Sequence, residues 1–334
     1  MKAMAGCARK NDADRLLSKT LRTYLKIPFL VAAFVVSLNA YAPAQAFLAG
    51  SAFVDTPLPT FSKDVQEVSL VLTVTNKRGR FVRDLSLKDL AILDNNLPPE
   101  RITYFQSETD LPLRVALVID TSDSVTHRFK FEQNAAAAFL KKILRPQTDL
   151  GLIVGFSHRV RIAQAACNDP ARLRAGLDDL KIGGETAVYD AVRVAAQQLM
   201  KVHDGRPSRR AIVLITDGED NHSRIALQDA VEAALRADAV VYVLSTNPEL
   251  SVSLAERGDK AMSQLAENTG GRLLRAGEDD DVKSAFSKVA QELRSQYAVS
   301  YKPAIKSPDG LFHHLIVTGP RKLRIYHRIG YFAR

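Results

Sequence analysis

The feature that most constrains this chain is an alternation of hydrophobic runs with amphipathic segments, which begins at Leu113. Short apolar runs of strand length are separated by longer segments whose apolar residues recur every three or four positions. The last of these segments places four apolar residues on one helical face: Val282, Phe286, Val289 and Leu293. Such alternation predicts an α/β domain with a doubly wound, mostly parallel sheet.

The same pattern gives approximate positions for the elements of this domain, which we place at residues 112–296. Strands are predicted at 113–119, 149–156, 159–165, 211–216, 239–245 and 272–275. Helices are predicted at 128–144, 169–180, 187–201, 224–237, 254–268 and 280–295.

Two segments with β character flank the α/β domain, residues 64–108 before it and residues 297–334 after it. From Val68 to Val74, apolar residues recur at every second position, which is typical of a half-buried strand. Each flank is too small to form a stable domain alone. Because the termini of a domain often lie close together, we expect the two flanks to pair into one small β-sandwich.

The amino terminus has the pattern of an export signal over residues 1–46. A long basic region is followed by an apolar run from Ile27 to Leu38 and by small residues at Ala44–Ala46, and residues 47–63 are typical of a linker. The apolar run is shorter than the roughly 20 residues of a membrane span, so no span is expected in the mature chain. We expect an exported protein of the periplasm, the cell surface or the medium, with an uncleaved anchor as the alternative.

The net charge of +9 is concentrated in the amino-terminal segment. Residues 1–46 hold seven of the 46 basic residues and two of the 37 acidic ones, so the rest of the chain carries a net charge of +4. No basic face with interleaved aromatic residues accompanies this small excess. We therefore expect no nucleic-acid partner.

Three segments place oxygen-bearing side chains after predicted strands or at the start of a predicted helix. The candidates are Asp120, Ser122 and Ser124 in the first segment, Thr186 in the second and Asp217 in the third. Ligands of doubly wound sheets bind at the carboxyl ends of the strands. Hydroxyl and carboxylate oxygens are the donors that hard cations such as Mg²⁺ prefer.

Together, and in this order, the three motifs resemble the metal-ion-dependent adhesion site of the von Willebrand factor type A (VWFA) family. The resemblance covers about half of the chain. It implies that Ser122, Ser124 and Thr186 bind Mg²⁺ (or Mn²⁺ or Ca²⁺) directly, while Asp120 and Asp217 contact the ion through water. It also implies a protein partner whose carboxylate fills the open position on the ion.

The flanks resemble those of exported bacterial proteins called the VWFA-related Acidobacterial type. The matching segments are Leu87–Leu90, Asp94–Asn96 and Phe105 before the domain, and Asp309–Gly310, Phe312 and Arg328–Tyr331 after it. The chain departs at Asn96, where that group usually has glycine, and at Leu90, where it usually has phenylalanine. Asparagine tolerates positive φ and leucine stays apolar, so both departures are compatible with the fold.

Two alternatives to a metal-dependent binding module stay open. Asp, Ser and Thr also cap turns and helices, which would make the chain a structural scaffold with a non-functional metal site. An aspartate at a strand end also resembles Mg²⁺-dependent aspartyl-phosphate phosphatases, but Ser122 stands where that chemistry needs a second carboxylate. Since neither a Gly-x-Ser-x-Gly elbow nor a Walker-type loop occurs, we expect no enzymatic activity.

Overall fold

The computed structural model describes residues 67–107, 110–202, 207–218, 220–247, 254–305 and 309–333. The predicted signal at 1–46 and the predicted linker at 47–63 lie outside these residues. None of the helices within the described ranges combines the length and the apolar character that crossing a membrane requires.

The elements, in chain order, have the following bounds. The strands are β1 (Val68–Asn76), β2 (Ala91–Asp94), β3 (Arg101–Ser107), β4 (Leu113–Asp120), β5 (Leu150–Phe156), β6 (Val160–Cys167), β7 (Arg209–Thr216), β8 (Ala239–Ser245), β9 (Leu273–Arg275), β10 (Tyr297–Lys302), β11 (Phe312–Thr318), β12 (Leu323–Tyr326) and β13 (Gly330–Phe332). The α-helices are α1 (Phe129–Ile143), α2 (Pro170–Asp178), α3 (Val188–Lys201), α4 (Leu227–Arg236), α5 (Leu254–Asn268) and α6 (Asp279–Leu293).

The α/β domain is built on a six-stranded sheet with the strand order β6-β5-β4-β7-β8-β9. Only the β5–β6 pair is antiparallel, and the other neighbours in this sheet are parallel. Every residue of β4 is buried, as expected for a parallel strand that is covered on both faces. The predicted doubly wound, mostly parallel sheet is confirmed.

Helices cover both faces of this sheet. One core cluster packs α1, α2 and α6 against the sheet, and a second cluster packs α3, α4 and α5 against the opposite face. Phe139 of α1 stacks on Phe286 of α6 with ring centroids 4.8 Å apart. Burial of each such side chain contributes roughly 1.5–3 kcal/mol, so the apolar stripes that predict the helices also fix them to the sheet.

A second, smaller β module contains two antiparallel sheets, one with the order β12-β1-β10-β3 and one with the order β13-β11-β2. Their shared core includes Leu70, Leu72 and Val299. Because β1 pairs with β10 and β12, strands that precede the α/β domain share a sheet with strands that follow it. The α/β domain is therefore an insertion between the two parts of the β module.

A buried polar cluster crosses the core of the β module. Asp94 accepts hydrogen bonds from the hydroxyls of Tyr301 (2.9 Å) and Tyr331 (2.7 Å), and its other oxygen lies 3.1 Å from Nδ1 of His313. Burial, together with the adjacent carboxylate, raises the pKa of both tyrosines. The two hydroxyls therefore stay protonated and can serve as donors to Asp94.

The end of α6 joins the α/β domain to the β module. Arg209 is buried at the start of β7, and its guanidinium donates to the carbonyl of Leu293 and to Oε1 of Gln296 (3.2 Å). On the other side of the sheet, the guanidinium of Arg236 lies 3.7 Å from the centroid of the Phe332 ring. The Arg209 contacts hold the end of α6 to β7 just before β10 begins, and the Arg236 contact joins α4 to β13.

Candidate metal-binding site

The candidate residues lie where the strand order of the α/β sheet reverses. β4 and β7 are neighbours, but the chain leaves β4 towards α1 on one face and leaves β7 towards α4 on the other. Such a switch point leaves a crevice at the carboxyl ends of the strands, where doubly wound proteins bind ligands. Asp120 ends β4, and Asp217 directly follows β7.

Asp120 is fully buried and holds the start of the Asp-x-Ser-x-Ser loop. Its Oδ1 accepts a hydrogen bond from the backbone N–H of Ser122 (2.9 Å), and its Oδ2 accepts one from the hydroxyl of Thr216 (2.7 Å). The hydroxyl oxygens of Ser122 and Ser124 lie 3.0 Å apart. Ser122 is the N-cap of a short 3-10 helix over Asp123–Val125, so this tight turn brings the two predicted hydroxyls together.

Burial raises the pKa of Asp120 to about 6, because a charged carboxylate loses its hydration inside the protein. Hydrogen bonds from Ser122 and Thr216 favour the charged form and oppose this effect, whereas the negative charge of Asp217 adds to it. A positive charge in the crevice would relieve the burial cost.

The glycine-rich loop before α3 is hydrogen-bonded to the Asp-x-Ser-x-Ser loop. Gly183 donates to the carbonyl of Thr121 (2.8 Å), and Gly184 donates to Oδ2 of Asp123 (3.2 Å). The φ angles of the two glycines are +147° and +94°, which side chains with a Cβ rarely adopt. A Cβ on Gly184 would also lie 2.2 Å from Nδ1 of His158, so a side chain there would have to displace the exposed His158 ring.

Thr186 is buried between this loop and the segment that follows β7. Its backbone N–H donates to Oδ1 of Asn221 (2.8 Å), and its carbonyl accepts from the N–H groups of Asn221 and His222, each at 3.1 Å. The next residue, Ala187, donates to the carbonyl of Ser157 after β5. Hydrogen bonds thus join all three predicted segments at one edge of the sheet.

Asp217 supplies the observation that bears most directly on a cation. Its side chain is half-buried, and its Oδ1 is buried without a hydrogen-bond partner among the described residues. A buried carboxylate oxygen without a partner is destabilising unless a cation or an ordered water satisfies it. The donor set of this site, three hydroxyls and two carboxylates, fits Mg²⁺, Mn²⁺ or Ca²⁺.

Within the described ranges, no group of three or more His, Cys, Asp and Glu side chains is placed to hold a metal. The candidate set contains only two residues of those types, Asp120 and Asp217, because its other members are hydroxyls. The site therefore differs in kind from a histidine- or cysteine-based metal centre.

Two histidines lie on the rim of the site. The rings of His158 and His222 are 6.2 Å apart between centroids, and Nδ1 of His222 lies 2.6 Å from Oε2 of Glu185. All three side chains have solvent access, so this pairing belongs to the exposed rim and not to the buried oxygen cluster.

Sequence reasoning missed the residues that cap α3. Asp220 accepts a hydrogen bond from the N–H of Val188 (2.8 Å), and Ser223 accepts from the N–H of Tyr189 (3.0 Å). The residue before the helix, Ala187, has no side chain that could do so. No local signal could reveal this cap, because its donors and acceptors are more than 30 positions apart in the chain.

Glu132 was also missed, although the sequence carries a signal for it. It lies on the apolar face of α1, at helical spacing from Phe129 and Ala136, and it is fully buried. A glutamate in an apolar stripe is rarely buried without a partner. This departure from the pattern could have identified Glu132 as a residue of interest.

The fold and the site together define the class of this domain. It is a doubly wound α/β domain with a cluster of oxygen-bearing side chains at the switch point of its sheet. Within that class, residues 115–219 match the family model of the von Willebrand factor type A domain. This chain therefore carries a von Willebrand factor type A domain, as the three motifs predict.

A curated relative of this chain is the mouse (Mus musculus) protein named calcium-activated chloride channel regulator 3A-1. It is 24% identical over 200 residues, which cover 58% of this chain and 20% of the relative. The chain thus spans about a fifth of the length of that protein.

Among solved structures, a von Willebrand factor type A protein from Catenulispora acidiphila has a TM-score of 0.47 and 10% identity, covering 81% of this chain and 75% of the other. The hypothetical protein BatB from Bacteroides thetaiotaomicron has a TM-score of 0.44 and 16% identity, covering 55% of this chain and 100% of the other. The pilus adhesin SpaC from Lactobacillus rhamnosus GG has a TM-score of 0.46 and 10% identity, covering 72% of this chain and 47% of the adhesin.

Proposed function

We propose that this protein is an exported, divalent-metal-dependent binding module that takes an acidic residue of a partner protein. The observation that carries the proposal is the buried Oδ1 of Asp217, which has no hydrogen-bond donor among the described residues. It lies at the same sheet edge as the paired hydroxyls of Ser122 and Ser124. An uncompensated carboxylate next to neutral oxygen donors is suited to a cation.

In this proposal, the hydroxyls of Ser122, Ser124 and Thr186 would hold Mg²⁺, Mn²⁺ or Ca²⁺, and Asp120 and Asp217 would orient its waters. A bound divalent ion would supply an electrophilic centre for a carboxylate ligand. Neutral hydroxyls leave most of the ionic charge uncompensated, so an anionic side chain is favoured at the remaining position. The partner class is therefore a protein that exposes an aspartate or a glutamate.

The proposed location outside the cytoplasm is supported by the sequence of residues 1–46, with its basic region, apolar run and small residues. The resemblance of the flanks to the VWFA-related Acidobacterial type supports the same location. The periplasm, the cell surface and the medium are all compatible with this pattern.

Calorimetric titration of Mg²⁺ and Mn²⁺ into the purified protein tests the metal site. We expect saturable binding that is lost in Asp120→Ala and Thr186→Ala and weakened in Asp217→Asn. The matched control is Asp178→Asn, because Asp178 is an exposed carboxylate on α2 whose partners are Arg174 and Lys130. Absence of binding to the wild-type protein at millimolar metal would contradict the proposal and favour the structural scaffold.

Partner binding is tested separately with a chelator. Proteins captured from an extract of cell-surface and periplasmic proteins should be released by EDTA and recovered when Mg²⁺ is restored. Capture that is unchanged by EDTA and by Thr186→Ala would show that the module binds its partner by another surface.

A further inference from the structure

Glu132 on α1 is a buried charge that the family motifs do not include. Its side chain is fully buried, and neither of its carboxylate oxygens has a hydrogen-bond partner among the described residues. The hydroxyl of Thr246 lies close enough to favour the charged form of Glu132, but it falls outside hydrogen-bonding geometry. An unpaired buried carboxylate is strongly unfavourable unless something else compensates its charge.

The electrostatic surroundings of Glu132 are those of the candidate metal site. The pKa of Glu132 is raised to about 7, mainly by burial and in smaller part by the negative charges of Asp120 and Asp217. The positive charge of Arg128, one helical turn earlier, has the opposite effect. Glu132 is therefore within electrostatic range of both aspartates of the site.

Arg128 does not neutralise this group of carboxylates by direct contact. Its guanidinium donates to the carbonyl of Thr246 and to that of Ala276 (2.7 Å), which holds α1 to the segment before α6. If Asp120, Asp217 and Glu132 are ionised, these three carboxylates and Arg128 sum to a charge of −2. This negative charge attracts a divalent cation to the crevice, where its direct contacts would be the neutral hydroxyls.

We propose that Glu132 is a positioning residue of the metal site, whose charge strengthens the binding of a divalent cation without touching it. This inference rests on the proposed function, because it requires that the site binds metal. Glu132 acts through the field inside the domain, where charges interact more strongly than in water. It takes no place among the coordinating hydroxyls, in keeping with the lack of a three-carboxylate cluster in the described residues.

The test compares Glu132→Gln with wild type in two measurements at pH 8, the affinity for Mg²⁺ by calorimetry and the melting temperature with EDTA. We expect Glu132→Gln to lower the affinity for Mg²⁺ by about 10-fold, the lower end of the range for groups that support metal ligands. In EDTA the variant should melt a few degrees higher than wild type, because the buried charge has been removed. If Glu132 had a purely structural role, its substitution would not combine a lower Mg²⁺ affinity with a higher melting temperature in EDTA.

The matched control is Glu292→Gln. Glu292 is an equally buried glutamate of the same domain, on α6, and it is paired with Arg272 at 2.5 Å. We expect Glu292→Gln to melt lower than wild type while keeping its Mg²⁺ affinity. Glu132→Leu serves as a second variant without charge and should reproduce the loss of affinity.

The outcomes separate the two proposals. If wild type binds Mg²⁺ and both Glu132 variants bind it equally well, the role of Glu132 is wrong while the metal site stands. If Glu292→Gln lowers the affinity as much as Glu132→Gln, the effect is not specific to this position and the inference fails. If wild type binds no divalent metal, both proposals are overturned.

Discussion

The hydroxyl of Thr216 donates a 2.7 Å hydrogen bond to Oδ2 of Asp120 and so links the ends of the two central strands. The bond crosses the switch point of the sheet, and Thr216 also accepts from the N–H of Gly218 (3.1 Å). One threonine therefore sets both the orientation of Asp120 and the turn that carries Asp217.

We expect Thr216→Val to destabilise the protein by about 1–3 kcal/mol at pH 8, because a buried charged carboxylate loses a donor. The folded-state pKa of Asp120, about 6, is above its ordinary value of 3.8, and the substitution should raise it further. A raised carboxyl pKa means that stability is greatest when the group is protonated and falls as pH rises through the folded pKa.

The difference in the free energy of unfolding between wild type and Thr216→Val should therefore be smaller at pH 5, where Asp120 is largely protonated, than at pH 8. Urea denaturation with EDTA at the two pH values measures it. Thr216→Ser, which keeps the hydroxyl, is the control and should show little pH-dependent change. A penalty of equal size at both pH values would mean that the hydroxyl does not act through the charge of Asp120.

Gly184→Ala should weaken metal binding more than Gly183→Ala. Both glycines have positive φ, so both substitutions strain the backbone, by about 1 kcal/mol or more. Only the Cβ at 184 meets a neighbour, His158 Nδ1 at 2.2 Å, whereas none lies within 4 Å at 183. Mg²⁺ titration of both variants measures the difference, which we expect to be several-fold.

The steric origin of this effect can be checked in a double variant. Adding His158→Ala to Gly184→Ala removes the clashing ring and should restore part of the lost affinity. If His158→Ala does not restore affinity in this background, the contact between these two residues is not the cause.

Loss of the α3 cap should destabilise the domain by about 1 kcal/mol for each of Asp220→Ala and Ser223→Ala. Both side chains accept hydrogen bonds from the first N–H groups of α3, which have no partners within the helix. Chemical denaturation measures the loss. Ser263→Ala, at a half-buried position on α5 whose hydroxyl makes an exposed hydrogen bond to Glu267, should change stability by much less.

Arg209→Met should destabilise the protein by roughly 3 kcal/mol, because it leaves the carbonyl of Leu293 and the amide oxygen of Gln296 without this buried donor. Burial, the largest effect, lowers the pKa of Arg209 to about 10, which still leaves it charged at neutral pH. Urea denaturation measures the change.

The control for this prediction is Arg174→Met, which removes an exposed ion pair with Asp178 and should cost less than about 1 kcal/mol. Equal effects of the two substitutions would show that the contact at the end of α6 contributes no more than a surface ion pair.

The sequence by itself determined the α/β class and the places of the elements of the α/β domain, to within a few residues. Hydrophobic periodicity is a local property, and the stripes on α1 and α6 record which faces are buried. The motif around Asp120, Ser122 and Ser124 is local in the same way, because a single 3-10 turn brings the two serine hydroxyls together.

Only the tertiary structure decided which distant groups meet at the site. The Thr216–Asp120 bond depends on the order and register of β4 and β7, and the cap of α3 by Asp220 depends on a loop from another part of the chain. Glu132 breaks the apolar pattern of α1. The packing of that helix against the sheet decides that the charges of Asp120 and Asp217 act on it. Electrostatic and hydrogen-bond partners are set by distances in space, and a linear pattern of apolar residues does not encode those distances.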